Sequence, residues 1–402
     1  MPDTRTEQAI EIMTRYAERT GLTSEQARQR YLWTDAFAVC NFIGLAQTTG
    51  KARYRQLALQ LIDQVHRTLG RFRHDDSRSG WISGLDEREG AAHPTLGGLR
   101  IGKELPERGA AESFDEALEW ERDGQYFHYL TQWMHALDQA TRATGQPVFN
   151  TWGRELAESA YDAFTYVPPG GVRKRMYWKM SIDLSRPLVA SMGQHDPLDG
   201  YLSAIQLQTT ADLLPGPVQG PYVGDLAGQY AAMVAHGSLV TADPLGLGGL
   251  LVDAARVEQL MHNGSFPDGE LLEALLSAAL AGLDQYARQQ DLRLPAPYRL
   301  PFRELGLAIG LHALAGLRDS LAARPERLPN TARLRARLEA LMHYAPLGDE
   351  IESFWRDPAQ QQVSTWSEHR NINEVMLATR LAPEGFLVLS SPRINETSTV
   401  LE

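Results

Sequence analysis

Residues 119–137 read EWERDGQYFHYLTQWMHAL, and the apolar spacing in this stretch identifies a helix from which the rest of the chain can be laid out. Tyr126, Tyr129, Leu130, Trp133, Met134 and Leu137 recur at i, i+3, i+4 and i+7, one face of an α-helix. Just before it, Glu119, Glu121, Arg122 and Asp123 crowd around Trp120, and Gly124 marks a turn. Carboxylates beside an indole at a helix start suit a binding site. Asp123 also has a plainer use there, as an acceptor for the free backbone N–H groups of the first turn.

Beyond this helix the sequence runs ATGQPVFNTWGREL over 143–156, and TTGKARYRQLALQL over 48–61 has the same plan. In each, a Thr-Gly pair is followed by an aromatic residue, Phe149 or Tyr54. A glycine just past a helix is a left-handed stop, so the echo predicts a recurring helix–turn–helix unit. Further helices are predicted over 6–20, from 24 or 34 to 48, and over 51–69, 125–143, 147–164, 198–213 and 222–239. The series continues over 245–262, 271–286, 302–317, 331–344 and 371–381, with little credible strand. The segments at 34–48, 245–262 and 302–317 are apolar all round and should be buried, whereas 51–69, 147–164, 271–286 and 331–344 carry one apolar stripe and one wet face. Gly246, Gly248 and Gly249 should let neighbouring helices approach closely. Such alternating hairpins can stack as an open solenoid or close into a ring.

No linker divides the 402 residues, so a single domain over 1–402 is expected, with a short irregular tail from about 383. A formal net charge of −11 argues against a nucleic-acid partner, which would need clustered Lys and Arg. The dense basic run of Arg173, Lys174, Arg175 and Lys179 could instead hold an anionic substrate. Cys40 is the sole cysteine; it excludes an internal disulfide and a cysteine-based zinc site, and fits a cytoplasmic, reducing setting. The first 21 residues form a charged amphipathic pattern without a signal peptide's apolar region, and no apolar run is long enough for a membrane span. Asn263-Gly-Ser and Asn395-Glu-Thr fit the glycosylation pattern, which matters only in a secreted chain. GGLRIGKE at 97–104 matches part of a phosphate loop, but Glu104 replaces the required hydroxyl and no strand precedes it. His74, Asp75 and Asp76 read as a turn, and neither a metal nor a cofactor is expected.

Six hairpins in about 400 residues, with apolar inner helices and a Thr-Gly turn followed by Tyr or Phe, resemble the (α/α)6 toroid of the six-hairpin glycosidases and the related sugar 2-epimerases. The resemblance implies an all-α toroid and a carbohydrate substrate. It lies in the architecture, so candidate residues follow from placement. If alternate helices form an inner ring, the elaborate links 70–123, 166–199, 292–302 and 345–371 fall at one end, where binding groups on loops would meet. That end would hold Trp33 and Asp35; Trp120 to Asp123 with Tyr126; and Tyr177, Trp178, Lys179, Asp183 and Arg186. It would also hold His195, Asp196 and Asp199, then Arg303 and Glu304, and finally Trp366, Glu368, His369, Arg370 and Asn371. Ring faces stack on the C–H face of a sugar, and carboxylates, Arg and Asn hold its hydroxyls.

Glycoside hydrolysis needs one protonated and one ionised carboxyl group. Asp123 or Glu121 paired with Asp196 or Glu368 meets that need, with Asp35 as a further candidate; Asp123 and Asp196 could equally cap helices. A sugar epimerase or isomerase would instead use acid and base groups near neutrality, for which His195 and His369 are placed. A non-enzymatic helical-repeat scaffold is the third alternative, and it would lack an enclosed lining of Trp and carboxylates.

Overall fold

The computed structural model describes residues 3–262, 269–323 and 331–393; the two glycosylation patterns at Asn263 and Asn395 lie outside them. Helices come in chain order as α1 (Thr4–Arg19), α2 (Leu32–Thr49), α3 (Ala52–Leu69), the short α4 (Glu87–Ala92) and α5 (Glu116–Glu121), α6 (Phe127–Thr144) and α7 (Pro147–Phe164). They continue as α8 (Asp196–Leu213), α9 (Gly224–Val234), α10 (Pro244–His262), α11 (Gly269–Gln289), α12 (Pro301–Ala323), α13 (Thr331–Met342) and α14 (Ala345–Arg356). The last three are α15 (Ser364–Ser367), α16 (Arg370–Leu381) and α17 (Glu384–Leu387). Strands are two or three residues long: β1 (Gln125–Tyr126), β2 (Thr165–Tyr166), β3 (Arg175–Met176), β4 (Lys179–Met180) and β5 (Pro187–Val189). None of the described helices is long and apolar enough to cross a membrane.

The elements pack as two compact units. The larger comprises the described residues of Glu18–Ala46, Lys51–Gly237 and Ser390–Glu402, the smaller those of Met1–Ala17, Gln47–Gly50 and Ser238–Leu389.

In the larger unit α6 packs on α7 and α8, α7 on α8, and α8 on α9. The α6–α7 turn closes as its sequence requires: Gly145 is left-handed at φ 69°, its N–H bonds Thr141 O at 2.7 Å, and Pro147 opens α7 where a missing N–H costs nothing. Gly50, the matching glycine of the earlier echo, is left-handed too, at φ 68°. Leu130, Trp133 and Leu137 of α6 are buried, and the α6–α8 seam also carries a buried polar chain. Asp138 accepts from Arg142 and from Gln206 at 2.6 Å each, and Arg142 reaches Thr210 at 2.5 Å. Chained bonds of this kind fix helix register, because a slip would strand a buried charge. A three-stranded antiparallel sheet in the order β1-β4-β5 pairs Gln125 with Met180 and Tyr126 with Lys179.

The smaller unit is built on α12, which packs against α10, α13, α14 and α16. A Cβ on Gly248 would stand 2.1 Å from Gly306 O, and one on Gly310 would stand 2.4 Å from Gly248 O, so α10 and α12 touch backbone to backbone. Gly249, expected to serve the same purpose, has open space around its Cβ position.

Three sequence expectations are corrected. The stretch 345–371, read as a connection, contains α14 and α15. Pro346 sits in the first turn of α14, where a missing N–H costs nothing, and the helix buries Ile351 and Trp355. Helix α8 begins at Asp196, two residues before the expected start, with Pro197 again in the first turn. Helix α6 begins at Phe127, so Tyr126 lies in β1 and not on the helical stripe.

Candidate active site

Within the larger unit, the acidic stretch before α6 is held rigid by buried charge. Lys179 is fully buried, and its ammonium donates to Glu119 O (2.7 Å), Glu119 Oε1 (2.9 Å) and Arg122 O (2.8 Å). Arg108 binds the other Glu119 oxygen at 2.8 Å. Asp123 is fully buried as well: Arg100 (2.9 Å) and Arg73 (3.3 Å) donate to Oδ2, and the N–H groups of Gly102 (3.0 Å) and Gly124 (3.1 Å) donate to Oδ1. All donors of Lys179 and both oxygens of Asp123 are thus committed inside the protein, and neither presents its charge to a ligand. The same holds for Asp35, buried in the first turn of α2, which accepts from Arg30 (3.3 Å) and from the N–H of Tyr31 (2.9 Å). The Gly97–Glu104 stretch belongs to this frame, since it supplies Arg100 and Gly102 to Asp123.

What the frame carries is a basin of aromatic rings. Trp33 lies 5.2 Å from Tyr129 and 5.9 Å from His128. Tyr126 stacks on His128 at 5.4 Å, His128 lies near-parallel to Trp178 at 6.3 Å, and Trp178 meets Trp120 edge-on at 4.7 Å. Tyr31 and Tyr129 share a hydroxyl–hydroxyl bond of 2.8 Å. Trp120 is exposed; Tyr31, His128, Tyr129 and Trp178 are half-buried. The indole N–H of Trp33, buried in this cluster, meets no acceptor among the described residues. A buried donor in that condition costs about 1–3 kcal/mol, which a ligand oxygen would relieve.

One titrating pair adjoins the rings. Asp196 opens α8, is 3% exposed, and its Oδ2 accepts the N–H of Gly193 at 3.0 Å. Its Oδ1 lies 3.9 Å from Nδ1 of His128. Burial pushes the Asp196 carboxyl up to about 7, with the Gly193 bond opposing, and pushes the His128 imidazole down to about 4. Asp196 therefore gains and loses its proton close to neutral pH, beside a neutral imidazole at the edge of an aromatic surface. Glu121 is exposed nearby, and its charge adds to burial in raising the Tyr31 hydroxyl to about 12.

Of the residues nominated from sequence, the structure thus assembles Trp33, Trp120, Glu121, Tyr126, Trp178 and Asp196 in this region of the larger unit. His195 is the N-cap residue of α8 and half-buried. Tyr177 instead stacks on Tyr166 at 4.1 Å, beside the β2–β3 hairpin, and Arg186 donates to Arg108 O at 2.5 Å. Three basin residues were absent from the sequence reading of the site: Tyr31, His128 and Tyr129. His128 and Tyr129 stand in the first turn of α6, and the change of direction at Gly124 was the available signal.

In the smaller unit, Trp366 is buried against Trp355 at 5.7 Å, and so is not a free lining residue. Glu368, His369 and Arg370 are exposed at the start of α16, Asn371 is half-buried, and the His369 ring lies 6.1 Å from Phe302. Glu304 is buried, bound by Arg299 at 2.6 Å and by the Trp355 indole at 2.7 Å.

No protein-family model matches the sequence, and no curated protein matches it. Among solved structures, the chain is similar to a GH76 α-mannanase from Bacteroides thetaiotaomicron, at 9% identity over 95% of this chain and 96% of that one, with a TM-score of 0.52. It also matches a D-mannose isomerase (12% identity, 86% and 88% of the two chains, TM-score 0.46). A third match is the cellobiose 2-epimerase of Spirochaeta thermophila (11% identity, 94% and 99%, TM-score 0.46). At such low identity the likeness to the mannanase speaks for the fold alone: the chain is an all-α (α/α)6 toroid.

Proposed function

We propose that the protein is a carbohydrate-active enzyme in which Asp196 and His128 move a proton on a sugar lying over the Trp33–Trp178 rings, in an epimerisation or isomerisation. The observation that supports this reading is the Asp196–His128 pair, 3.9 Å apart at the edge of the aromatic basin, with one member pushed up to about 7. His128 is the accessible partner, with 26% of its side chain exposed against 5% for Asp196. Once Asp196 is ionised, the neutral imidazole takes the proton from the carbon next to the sugar's carbonyl. The imidazolium so formed faces an anion 3.9 Å away, and the proton returns to the same or the neighbouring carbon.

Hydrolysis of a glycosidic bond is the second reading, supported by Glu121, an exposed carboxylate whose charge is felt at Tyr31 and Tyr126. There Asp196 would be the protonated acid and Glu121 the ionised partner. Asp123 is unsuited to either role, because both its oxygens are held by Arg73, Arg100 and two backbone N–H groups.

The two readings differ in the sign of one pH limb. Proton abstraction needs Asp196 ionised, so kcat/KM rises as pH passes about 7; acid-assisted hydrolysis needs it protonated, so kcat/KM falls there. Proton NMR in D2O with a panel of hexoses and disaccharides is the direct test. Deuterium entering at the carbon beside the carbonyl, and its loss in Asp196→Asn and His128→Ala, is expected. Release of a free reducing sugar without exchange would transfer the assignment to hydrolysis, and neither outcome on any sugar would refute both.

A further inference from the structure

We propose that Trp120 and Trp178 form a second saccharide position next to His128, so that the substrate has at least two linked sugar rings. This deepens the acid–base reading above and rests on it.

The starting observation is a tryptophan that packs partly on Trp178 and Tyr126 and leaves the rest of its surface in water. Trp120 keeps 40% of its surface in water, although an indole is among the side chains with most to gain from burial. Yet the backbone on either side of it in α5 is anchored by buried charge. Glu119 and Lys179, the residues immediately before Trp120 and after Trp178, form the fully buried pair described above, in which Lys179 also holds the carbonyls of Glu119 and Arg122. Lys103 donates to the carbonyl of Trp120 itself. Taking a lysine and a glutamate out of water is costly unless the geometry is excellent, and such a pair is weak evidence of stabilisation for its own sake. What this one accomplishes geometrically is to lock the end of α5 against β4 and so fix the two indoles relative to each other.

The fixed shape is a corner. The indole planes of Trp120 and Trp178 stand at 78°, with centroids 4.7 Å apart, while Trp178 is within 29° of parallel to the His128 ring, 6.3 Å further along. Trp33 lies 5.9 Å from His128. The rings next to the acid–base group therefore continue past it through Trp178 to Trp120, a reach that one six-membered sugar does not need. A sugar ring reacting over His128 leaves the Trp120–Trp178 corner free for its neighbour in the same saccharide, whose C–H face packs on an indole and whose edge meets the perpendicular one. Rigid placement is what makes such a position effective, since no loop ordering has to accompany binding.

The test uses the full chain carrying Asp196→Asn, so that binding is read without turnover. Isothermal titration is run with three ladders: glucose, cellobiose and cellotriose; glucose, maltose and maltotriose; mannose, β-1,4-mannobiose and mannotriose. In at least one ladder the disaccharide should bind about tenfold more tightly than its monosaccharide, the size of one good stacking contact. Adding Trp120→Ala should shrink that ratio to near unity, and Trp120→Phe should restore most of it; because Trp120→Phe keeps a ring against Trp178 and Tyr126, it separates a lost sugar contact from lost packing. The proposal is overturned if no ladder shows a disaccharide gain, or if the gain survives Trp120→Ala. Deuterium exchange on a monosaccharide by the otherwise unaltered chain, without any disaccharide gain, would remove the second position and leave the acid–base reading standing. Absence of both exchange and binding would remove the two together.

Discussion

Replacing Asp196 with Asn should remove activity and at the same time make the protein more stable above neutral pH. In the fold the carboxyl titrates at about 7 against an ordinary 3.8, a rise of roughly three units caused by burial. At about 1.4 kcal/mol per unit, the ionised carboxylate costs the folded state on the order of 4 kcal/mol, less whatever small relaxation lets water reach it. The sign follows from proton binding: the folded protein holds this proton more tightly than the unfolded chain. The contribution is therefore intact below pH ~4 and is lost progressively as pH rises to about 7. Asn is neutral throughout and its amide oxygen can still accept the Gly193 N–H, so the variant escapes the loss. Thermal melts followed by circular dichroism at about pH 4.5, 6 and 8.5 should show the two proteins closest at the lowest pH and the variant several degrees ahead at the highest. A gap that does not change with pH, or a variant that melts earlier at pH 8.5, would show that Asp196 is not a buried titrating acid and would take the proton-transfer reading with it.

Asp123→Ala should destabilise the larger unit by about 3–5 kcal/mol in urea unfolding, because Arg73 and Arg100 would lose the anion they converge on; a loss under 1 kcal/mol would mean the site is solvated. Gly248→Ala should cost at least about 1–3 kcal/mol by the same measurement, since its Cβ would enter the Gly306 carbonyl, whereas Gly249→Ala should be neutral or slightly stabilising. His128→Gln should abolish deuterium exchange while leaving the sugar affinity measured by titration within a few-fold; equal loss of both would recast His128 as a binding group alone.

The fold was legible because its signals are local. The Thr-Gly turn at Gly145 is written in one dipeptide that only a left-handed glycine satisfies, and Gly50 repeats it. The all-round apolar pattern of α12 needed no partner to be recognised as buried. Boundaries were less legible where a residue type has two uses: proline breaks a helix interior but is tolerated in a first turn, where the structure puts Pro346 and Pro197. The polar α6–α8 seam was illegible for a related reason: Asp138, Arg142 and Gln206 are ordinary surface residues until two helices are known to face each other.

The candidate site tested this limit hardest, because sequence displays charge but not what each charge is spent on. Asp123, Lys179 and Asp35 drew attention by standing next to tryptophans and tyrosines, and all three prove to be braces: each is buried and bound to groups of the protein itself. Asp196 looks no different in sequence, yet its oxygens meet one backbone N–H and an imidazole still 3.9 Å away. The distinction is a count of donors. Four converge on Asp123 and occupy both its oxygens, so it holds the frame; a single bond leaves burial of Asp196 uncompensated and lifts its titration towards neutrality. Incomplete satisfaction is what destabilises the fold at Asp196, and it is also what lets a proton leave and return there. Braces and acid–base groups are thus separated by their hydrogen-bond partners, which long-range packing sets: Arg73 lies fifty residues from Asp123, and His128 sixty-eight from Asp196.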